Sequence, residues 1–148
     1  MARKLINTAR KRIVVVADNH AAALSQWIAI LESEFEVIGV ADGLSLVEAA
    51  RLLHPQVVVT DITMPGVDGL AAAEQILAMA PETRVVFVTV HADPTLVKWS
   101  LRSGVLGYVL KVAAGEDLLP AVHSALRGET FVSVLPSSTI AGEWRDAR

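Results

Sequence analysis

The sequence contains no cysteine, which excludes disulfide bonds and metal sites built on thiolates. It also lacks any apolar run near the ~20 residues that a membrane-spanning helix requires. The first twelve residues are basic, but they lack the long apolar stretch of a secretory signal peptide. We therefore expect a cytoplasmic protein that makes no contact with a membrane.

The charge is unevenly distributed along the 148 residues. Five of the 13 lysine and arginine residues fall within residues 1–12, which contain no acid, so the rest of the chain has eight basic residues against 16 acidic ones. An acidic body predicts no direct DNA binding by this segment. We interpret residues 1–12 as a solvated basic leader, although they could touch a polyanion.

Short runs rich in valine and isoleucine alternate with helical patterns from residue 13 to residue 128. Five runs predict strands, which are Ile13–Ala17, Glu36–Ala41, Gln56–Thr60, Arg84–Val90 and Leu106–Lys111. These runs are apolar throughout, which indicates that helices cover both faces of the sheet. Helices that cross between parallel strands give a three-layer α/β sandwich. We therefore predict one α/β domain over residues 13–128.

Residues 129–148 show no clear period. Pro136, Ser137, Ser138 and Gly142 fall in this stretch, and such residues favour turns and linkers. We interpret residues 129–148 as a tail or linker, with no output domain present.

Polar side chains follow the predicted strands at the points where these strands end. They are Asp18 and Asn19 after the first strand, Asp61 after the third, Thr89 in the fourth and Lys111 in the fifth. Ligands bind at the carboxyl ends of parallel strands. Two carboxylates and an amide suit Mg²⁺, while a hydroxyl and an ammonium suit a phosphoryl group. Taken singly, each could be a helix cap, a turn residue, a strand threonine or a surface lysine.

Other polar and aromatic residues have simpler interpretations. Asp42 and Asp68 precede predicted helices and are interpreted as N-caps. The four histidines are too scattered to form a metal site, although His91 is near enough to Thr89 in the sequence to brush the cleft. Trp27 falls on the apolar face of the helix predicted for residues 21–34, where we expect it to pack.

The sequence DITMPGVDG, which begins at Asp61, resembles the phospho-acceptor motif of the receiver domain of bacterial response regulators. The family pattern is an aspartate, two residues, Met-Pro-Gly, and then an acid and a glycine. Asp18, Thr89 and Lys111 stand at the strand ends where the family has matching residues. The resemblance covers about residues 12–128 and is greatest for the NarL/FixJ subgroup with a LuxR-type output. It implies a flavodoxin-like sandwich with strand order 2-1-3-4-5.

The resemblance also implies a role for each site residue. Asp61 would accept a phosphoryl group from a sensor histidine kinase or a phosphotransfer protein. The expected Mg²⁺ ligands are Asp18, Asn19, Asp61 and the carbonyl of Thr63. Thr89 and Lys111 would bind phosphoryl oxygens after phosphorylation.

A conformational switch is implied at Thr89 and Tyr108. Thr89 would move toward the phosphate while Tyr108 rotates inward, and the surface used for self-association or partner binding would change. Tyr108 could instead be a half-buried strand aromatic. The implied activity is that of a switch and not of an enzyme. Whether the chain is a single-domain regulator or the receiver of a longer one remains open at this point.

Three positions depart from the family pattern. Asn19 replaces a second acid, which predicts weaker Mg²⁺ binding and slower phosphorylation, or a degenerate receiver that acts as a phosphorylation-independent interaction module. Val90 is larger than the usual residue and could narrow the cleft. Val112 replaces a proline often preceded by a cis peptide, so we expect a trans bond. A phosphatase like the haloacid dehalogenases is disfavoured because Asp61 follows the third strand and Thr63 occupies the place of the second aspartate.

Overall fold

Six parallel strands form one sheet in the order β2-β1-β3-β4-β5-β6 within residues 11–136, which are the residues that the computed structural model describes. The strands are β1 Ile13–Ala17, β2 Glu36–Val40, β3 Val57–Thr60, β4 Arg84–Thr89, β5 Gly107–Leu110 and β6 Phe131–Val132. The helices are α1 Ala21–Leu31, α2 Gly43–Leu53, α3 Gly69–Met79, α4 Pro94–Arg102 and α5 Ala114–Leu126, with a 3₁₀ turn at Lys111–Ala113. The predicted α/β class and the order of the first five strands are confirmed.

The valine-rich strands are buried on both faces. In β1, Val14 and Val16 pack with α1 and α5, while Val15 and Ala17 pack with α2 and α3 on the opposite face. All four side chains have no exposed surface. Removing an apolar side chain of this size from water contributes roughly 1.5–3 kcal/mol, so the central strands hold the carboxyl edge of the sheet firmly in place.

The helices begin and end where the sequence provides capping groups. The carboxylate of Asp42 accepts a hydrogen bond from the amide of Ser45, and that of Asp68 accepts one from the amide of Ala71. Both predicted N-caps are therefore confirmed. Helix α1 ends at Leu31, three residues earlier than the periodicity predicts. Residues 32–34 form a turn instead. No helix within residues 11–136 is long and apolar enough to cross a membrane.

The sixth strand was not predicted. Phe131 and Val132 pair in parallel with Gly107 and Tyr108 of β5, and Leu135 just beyond them is buried against the core. This stretch lies in the predicted tail, because a strand of two residues has no detectable period. The basic residues before Lys11 and the tail after Pro136 lie outside the described residues.

Candidate functional site

The ammonium of Lys111 joins two buried carboxylates at the carboxyl edge of the sheet. Its Nζ lies 2.8 Å from Oδ2 of Asp61 and 3.1 Å from Oδ2 of Asp18. The register explains the meeting, because Asp18 and Asp61 directly follow the paired residues Ala17 and Thr60 of neighbouring strands. Three of the residues predicted at strand ends are therefore in direct contact.

Asp18 is the most thoroughly bonded acid of the site. Its Oδ1 accepts a hydrogen bond of 2.9 Å from the amide of His20, and its Oδ2 accepts one of 3.1 Å from the indole Nε1 of Trp27. Burial alone would raise the pKa of Asp18, but these bonds and the ammonium of Lys111 outweigh it and hold the pKa below the usual 3.8. Asp18 is thus held as a carboxylate at neutral pH.

Asp61 lies at the end of β3, where a tight turn and a close helix start surround it. Gly66 has φ of +75° in the turn after Pro65, a conformation that glycine adopts without strain. The start of α3 approaches so closely that a Cβ on Gly69 would lie 2.1 Å from the carbonyl oxygen of Asp61. The backbone around Asp61 therefore needs a glycine at position 69, while the acid itself remains 5% exposed.

Lys111 completes the charge balance of the cluster. Its partial burial would lower the pKa of the ammonium, but the hydrogen bonds and charges of Asp61 and Asp18 raise it above the usual 10.5. One ammonium between two carboxylates leaves the cluster with a net charge of about −1 at neutral pH. Such a site attracts a further cation.

A small cleft of about 180 Å³ connects Lys111 with Thr89. Val90 and Val112 also line it, and both are exposed, Val112 almost completely. The hydroxyl of Thr89 accepts a hydrogen bond of 3.1 Å from the amide of His91. Thr89 and Lys111 therefore face one cleft, as the sequence predicts.

The peptide bond between Lys111 and Val112 is trans, since residues 11–136 contain no cis peptide bond. The expectation of a trans bond before Val112 is confirmed.

Tyr108 lies fully inside the protein. Its side chain has no exposed surface, and its hydroxyl donates a hydrogen bond of 2.7 Å to the carbonyl oxygen of His91. Burial, together with the charge of Asp93, raises the pKa of the phenol well above its usual value. Tyr108 is therefore a strand aromatic, but a fully buried one rather than a half-buried one. Its role as a switch stays a prediction.

His91 connects Thr89 and Tyr108 with the loop after Asp61. Its Nε2 lies 2.8 Å from Oγ1 of Thr63, a hydrogen bond whose direction depends on the tautomer. Its amide bonds Thr89 and its carbonyl bonds Tyr108. The ring of His91 thus contacts a residue two positions after Asp61, while the cleft of Thr89 and Lys111 is lined by other residues.

The donor set of the cluster fits a divalent cation such as Mg²⁺. Asp18 and Asp61 each keep an Oδ1 that does not bond Lys111, and carboxylates with several waters are the usual surroundings of Mg²⁺. Thr63 lies next to Asp61, with its amide 3.4 Å from Oδ1 of that acid. Asn19 is exposed, and among residues 11–136 no hydrogen bond joins it to either acid.

Two contacts of the site were missed by the sequence analysis. Trp27 packs in the core as predicted, but it also bonds Asp18, and only its position on the inner face of α1 hints at this. His20 was set aside with the scattered histidines, yet its Nδ1 lies 3.4 Å from Oδ1 of Asp18. Its place two residues after Asp18 is the signal that could have identified it.

The family follows from a direct comparison. Residues 14–123 match the model of the response regulator receiver domain. The chain belongs to this family. The resemblance noted at DITMPGVDG is confirmed, and the chain is a receiver domain of two-component signal transduction.

Named relatives agree with this family. The receiver domain is 31% identical over 135 residues to the oxygen regulatory protein NreC of Staphylococcus carnosus (strain TM300) and 33% identical over 135 residues to that of Staphylococcus aureus (strain JH9). Each match covers 88% of this chain and 62% of the relative. The chain thus spans less than two thirds of the length of these relatives.

Solved receiver domains have the same fold. The signal receiver domain of the putative response regulator NarL from Mycobacterium tuberculosis is similar with a TM-score of 0.75 and 29% identity, over 81% of this chain and 99% of that one. The non-phosphorylated receiver domain of the stress response regulator RcsB from Escherichia coli gives a TM-score of 0.75 and 27% identity, over 84% and 99%.

Proposed function

We propose that this receiver domain is a phosphorylation-dependent switch in which Asp61 accepts a phosphoryl group from a sensor histidine kinase or a phosphotransfer protein. The observation that carries the proposal is the contact of Lys111 with both Asp61 and Asp18. A carboxylate with a nearby ammonium at an open strand end can act as a nucleophile and then tolerate the added negative charge.

The transfer is a displacement at phosphorus. A carboxylate oxygen of Asp61 forms a bond to phosphorus while the P–N bond of a phosphohistidine breaks. The electron pair of the P–N bond returns to the imidazole, which leaves neutral because its second nitrogen carries the proton. The product is an acyl phosphate, and positioning with charge neutralisation supplies most of the catalysis. Bound Mg²⁺, held by Asp18, Asp61, Asn19 and the carbonyl of Thr63, would neutralise part of the phosphoryl charge.

Lys111 and Thr89 act on the phosphorylated state. Lys111 moves from its bond with Asp61 to a phosphoryl oxygen. The hydroxyl of Thr89 donates a hydrogen bond to another phosphoryl oxygen from the opposite side of the cleft. Thr89 and Tyr108 both bond the backbone of His91, so a displacement of Thr89 reaches Tyr108 through one residue. The surface around α4 and β5 then changes and alters self-association or partner binding. The chain works as a switch and not as a turnover enzyme.

The proposal is tested by phosphorylation with a small phosphodonor in the presence of Mg²⁺. Mass spectrometry should show one added phosphoryl group in the wild type and none in Asp61→Asn. Asp68→Asn is the matched control, because asparagine also caps helices and Asp68 lies outside the cluster. Loss of the adduct in the control as well would mean that the effect of Asp61→Asn is structural.

A degenerate receiver that binds its partner without phosphorylation is the second candidate. The exposed amide of Asn19 favours it, since this residue brings no charge to the cluster and makes no hydrogen bond to either acid among the described residues. Absence of any adduct in the wild type under excess phosphodonor, with a folded protein by circular dichroism, would select this candidate. Asn19→Asp would then be expected to restore the adduct.

The partners follow from the charge of the chain. Residues 13–148 carry twice as many acidic as basic residues, so this segment is proposed to act through a kinase or a second copy of itself and not by contacting DNA directly. The RcsB response regulator of Salmonella typhimurium, which has a similar structure, is described as interacting with DNA. Here, binding of the segment to DNA in an electrophoretic mobility assay at physiological salt would contradict the proposal.

A further inference from the structure

The imidazole of His20 stands beside the two acids of the cluster. One possible ligand atom from each of Asp18, His20 and Asp61 lies within 4.8 Å of the others. Two ligands of one transition ion are at most ~4.2 Å apart, twice a metal–ligand bond of ~2.1 Å. The imidazole is 68% exposed, so a small rotation about its side-chain bonds brings it within that range at little cost.

The two acids are already arranged around a common point. Lys111 bonds Oδ2 of each acid. Oδ1 of Asp18 accepts from the amide of His20 and Oδ1 of Asp61 from the amide of Thr63, and each of these oxygens keeps a further lone pair for an ion. Trp27 and the amide of His20 hold the carboxylate of Asp18 in place. An ion that enters therefore finds an oxygen of Asp18 held in place, and the exposed ring of His20 is the donor with the most freedom to move.

The third protein side chain next to this point is thus a nitrogen donor. Asn19 has its side chain exposed, and no hydrogen bond described within residues 11–136 turns it toward the acids. Hard Mg²⁺ prefers oxygen ligands, whereas imidazole suits borderline ions such as Ni²⁺ and Zn²⁺. Two carboxylates with one imidazole should therefore favour a borderline ion, whereas a set of oxygen ligands alone favours Mg²⁺.

We propose that Asp18, His20 and Asp61 form a mixed nitrogen and oxygen site that binds divalent transition ions in preference to Mg²⁺. The inference rests on the metal site of the proposed function but not on the phosphorylation of Asp61. In this site His20 is the third metal ligand, in the position that an acid at residue 19 would otherwise occupy. Affinity should rise from Mn²⁺ to Ni²⁺, since nitrogen-containing sites follow this order.

The test is isothermal titration calorimetry of the full chain with Mg²⁺, Mn²⁺ and Ni²⁺. The wild type should bind Ni²⁺ more tightly than Mn²⁺, and Mn²⁺ more tightly than Mg²⁺. His20→Ala should weaken Ni²⁺ binding by at least about tenfold, as even the loss of an outer-shell partner typically does, and should change Mg²⁺ binding by a much smaller factor. His54→Asn is the matched control, because His54 is an exposed histidine with φ of +48° that asparagine tolerates.

Each outcome decides a separate point. If Asn19→Ala weakens Ni²⁺ binding and His20→Ala does not, the amide is the ligand and the inference is overturned. Equal affinity of the wild type for Ni²⁺ and Mg²⁺ also overturns it, while phosphorylation in Mg²⁺ leaves the proposed function standing. Binding of neither ion removes both the site and the metal part of the proposed function.

Discussion

The indole of Trp27 donates a hydrogen bond of 3.1 Å to a carboxylate oxygen of Asp18. Both side chains are almost fully buried, with 3% and 1% of their surface exposed. Helix α1 thereby holds an acid of the site through a residue that also fills the core. A change in the packing of Trp27 should therefore also affect the position of the Asp18 carboxylate.

Replacing Trp27 by phenylalanine should separate these two roles. The ring still fills most of the space, but Asp18 loses a buried donor. Hydrogen bonds to charged groups contribute about 1.5–3 kcal/mol, so the free energy of unfolding should fall by about that amount in urea denaturation. Trp99→Phe on α4 is the control, because that ring is 43% exposed and should cost much less. Equal losses in both variants would show that ring packing and not the bond is responsible.

The pKa shift of Asp18 predicts a pH dependence of stability. A carboxyl group whose folded pKa is depressed stabilises the fold above its unfolded pKa, which is about 3.8, and this contribution is lost as the pH falls through the folded pKa. The difference in unfolding free energy between wild type and Asp18→Asn should stay constant from about pH 5 to pH 9 and shrink below about pH 4. A difference that grows on acidification would contradict the stated bonding of Asp18.

Tyr108→Phe should loosen the link between Tyr108 and the loop that carries His91. The variant keeps the buried ring but removes the bond of 2.7 Å to the carbonyl of His91, at a cost of about 0.5–1.5 kcal/mol in unfolding free energy. Amide hydrogen exchange near His91 should accelerate, while exchange in β1 should not. Thr63→Val, which removes the other contact of His91, should accelerate the same amides. Unchanged exchange in both variants would rule out His91 as the connection.

Leu135→Ala should show that the chain after α5 belongs to the fold. Leu135 is 2% exposed and packs in the cluster that contains Phe87, Val97 and Tyr108. Truncation of a buried leucine costs about 2–5 kcal/mol, measurable by urea unfolding. Val134→Ala next to it is the control, because Val134 is 82% exposed and surface truncations stay within about 0.5 kcal/mol. A cost below about 0.5 kcal/mol for Leu135→Ala would mean that the segment does not contribute.

The five main strands and the meeting of Asp18, Asp61 and Lys111 could be predicted from the sequence pattern, whereas the order of the strands was implied by the resemblance to the receiver family. The valine-rich runs determine which segments are buried strands, and parallel pairing brings their carboxyl ends to one edge. The bonds of Trp27 to Asp18 and of His91 to Thr63 could not be predicted, since each depends on the direction of a side chain. The contact of His20 could have been, because His20 stands two residues after Asp18. Strand β6 could not be predicted for another reason. Its pairing is determined by β5 and not by a pattern in its own two residues.

Strand β6 runs parallel to β5, and this direction decides where the chain leaves the sheet. Ser133 marks the exit, because its hydroxyl donates to Asp117 and accepts from the amide of Leu110. Pro136 then lines the cleft shared by Thr89 and Lys111. A partner that covers this cleft therefore also covers the point from which residue 137 continues. Pro136 is thereby part of the surface that any partner must contact to reach Lys111.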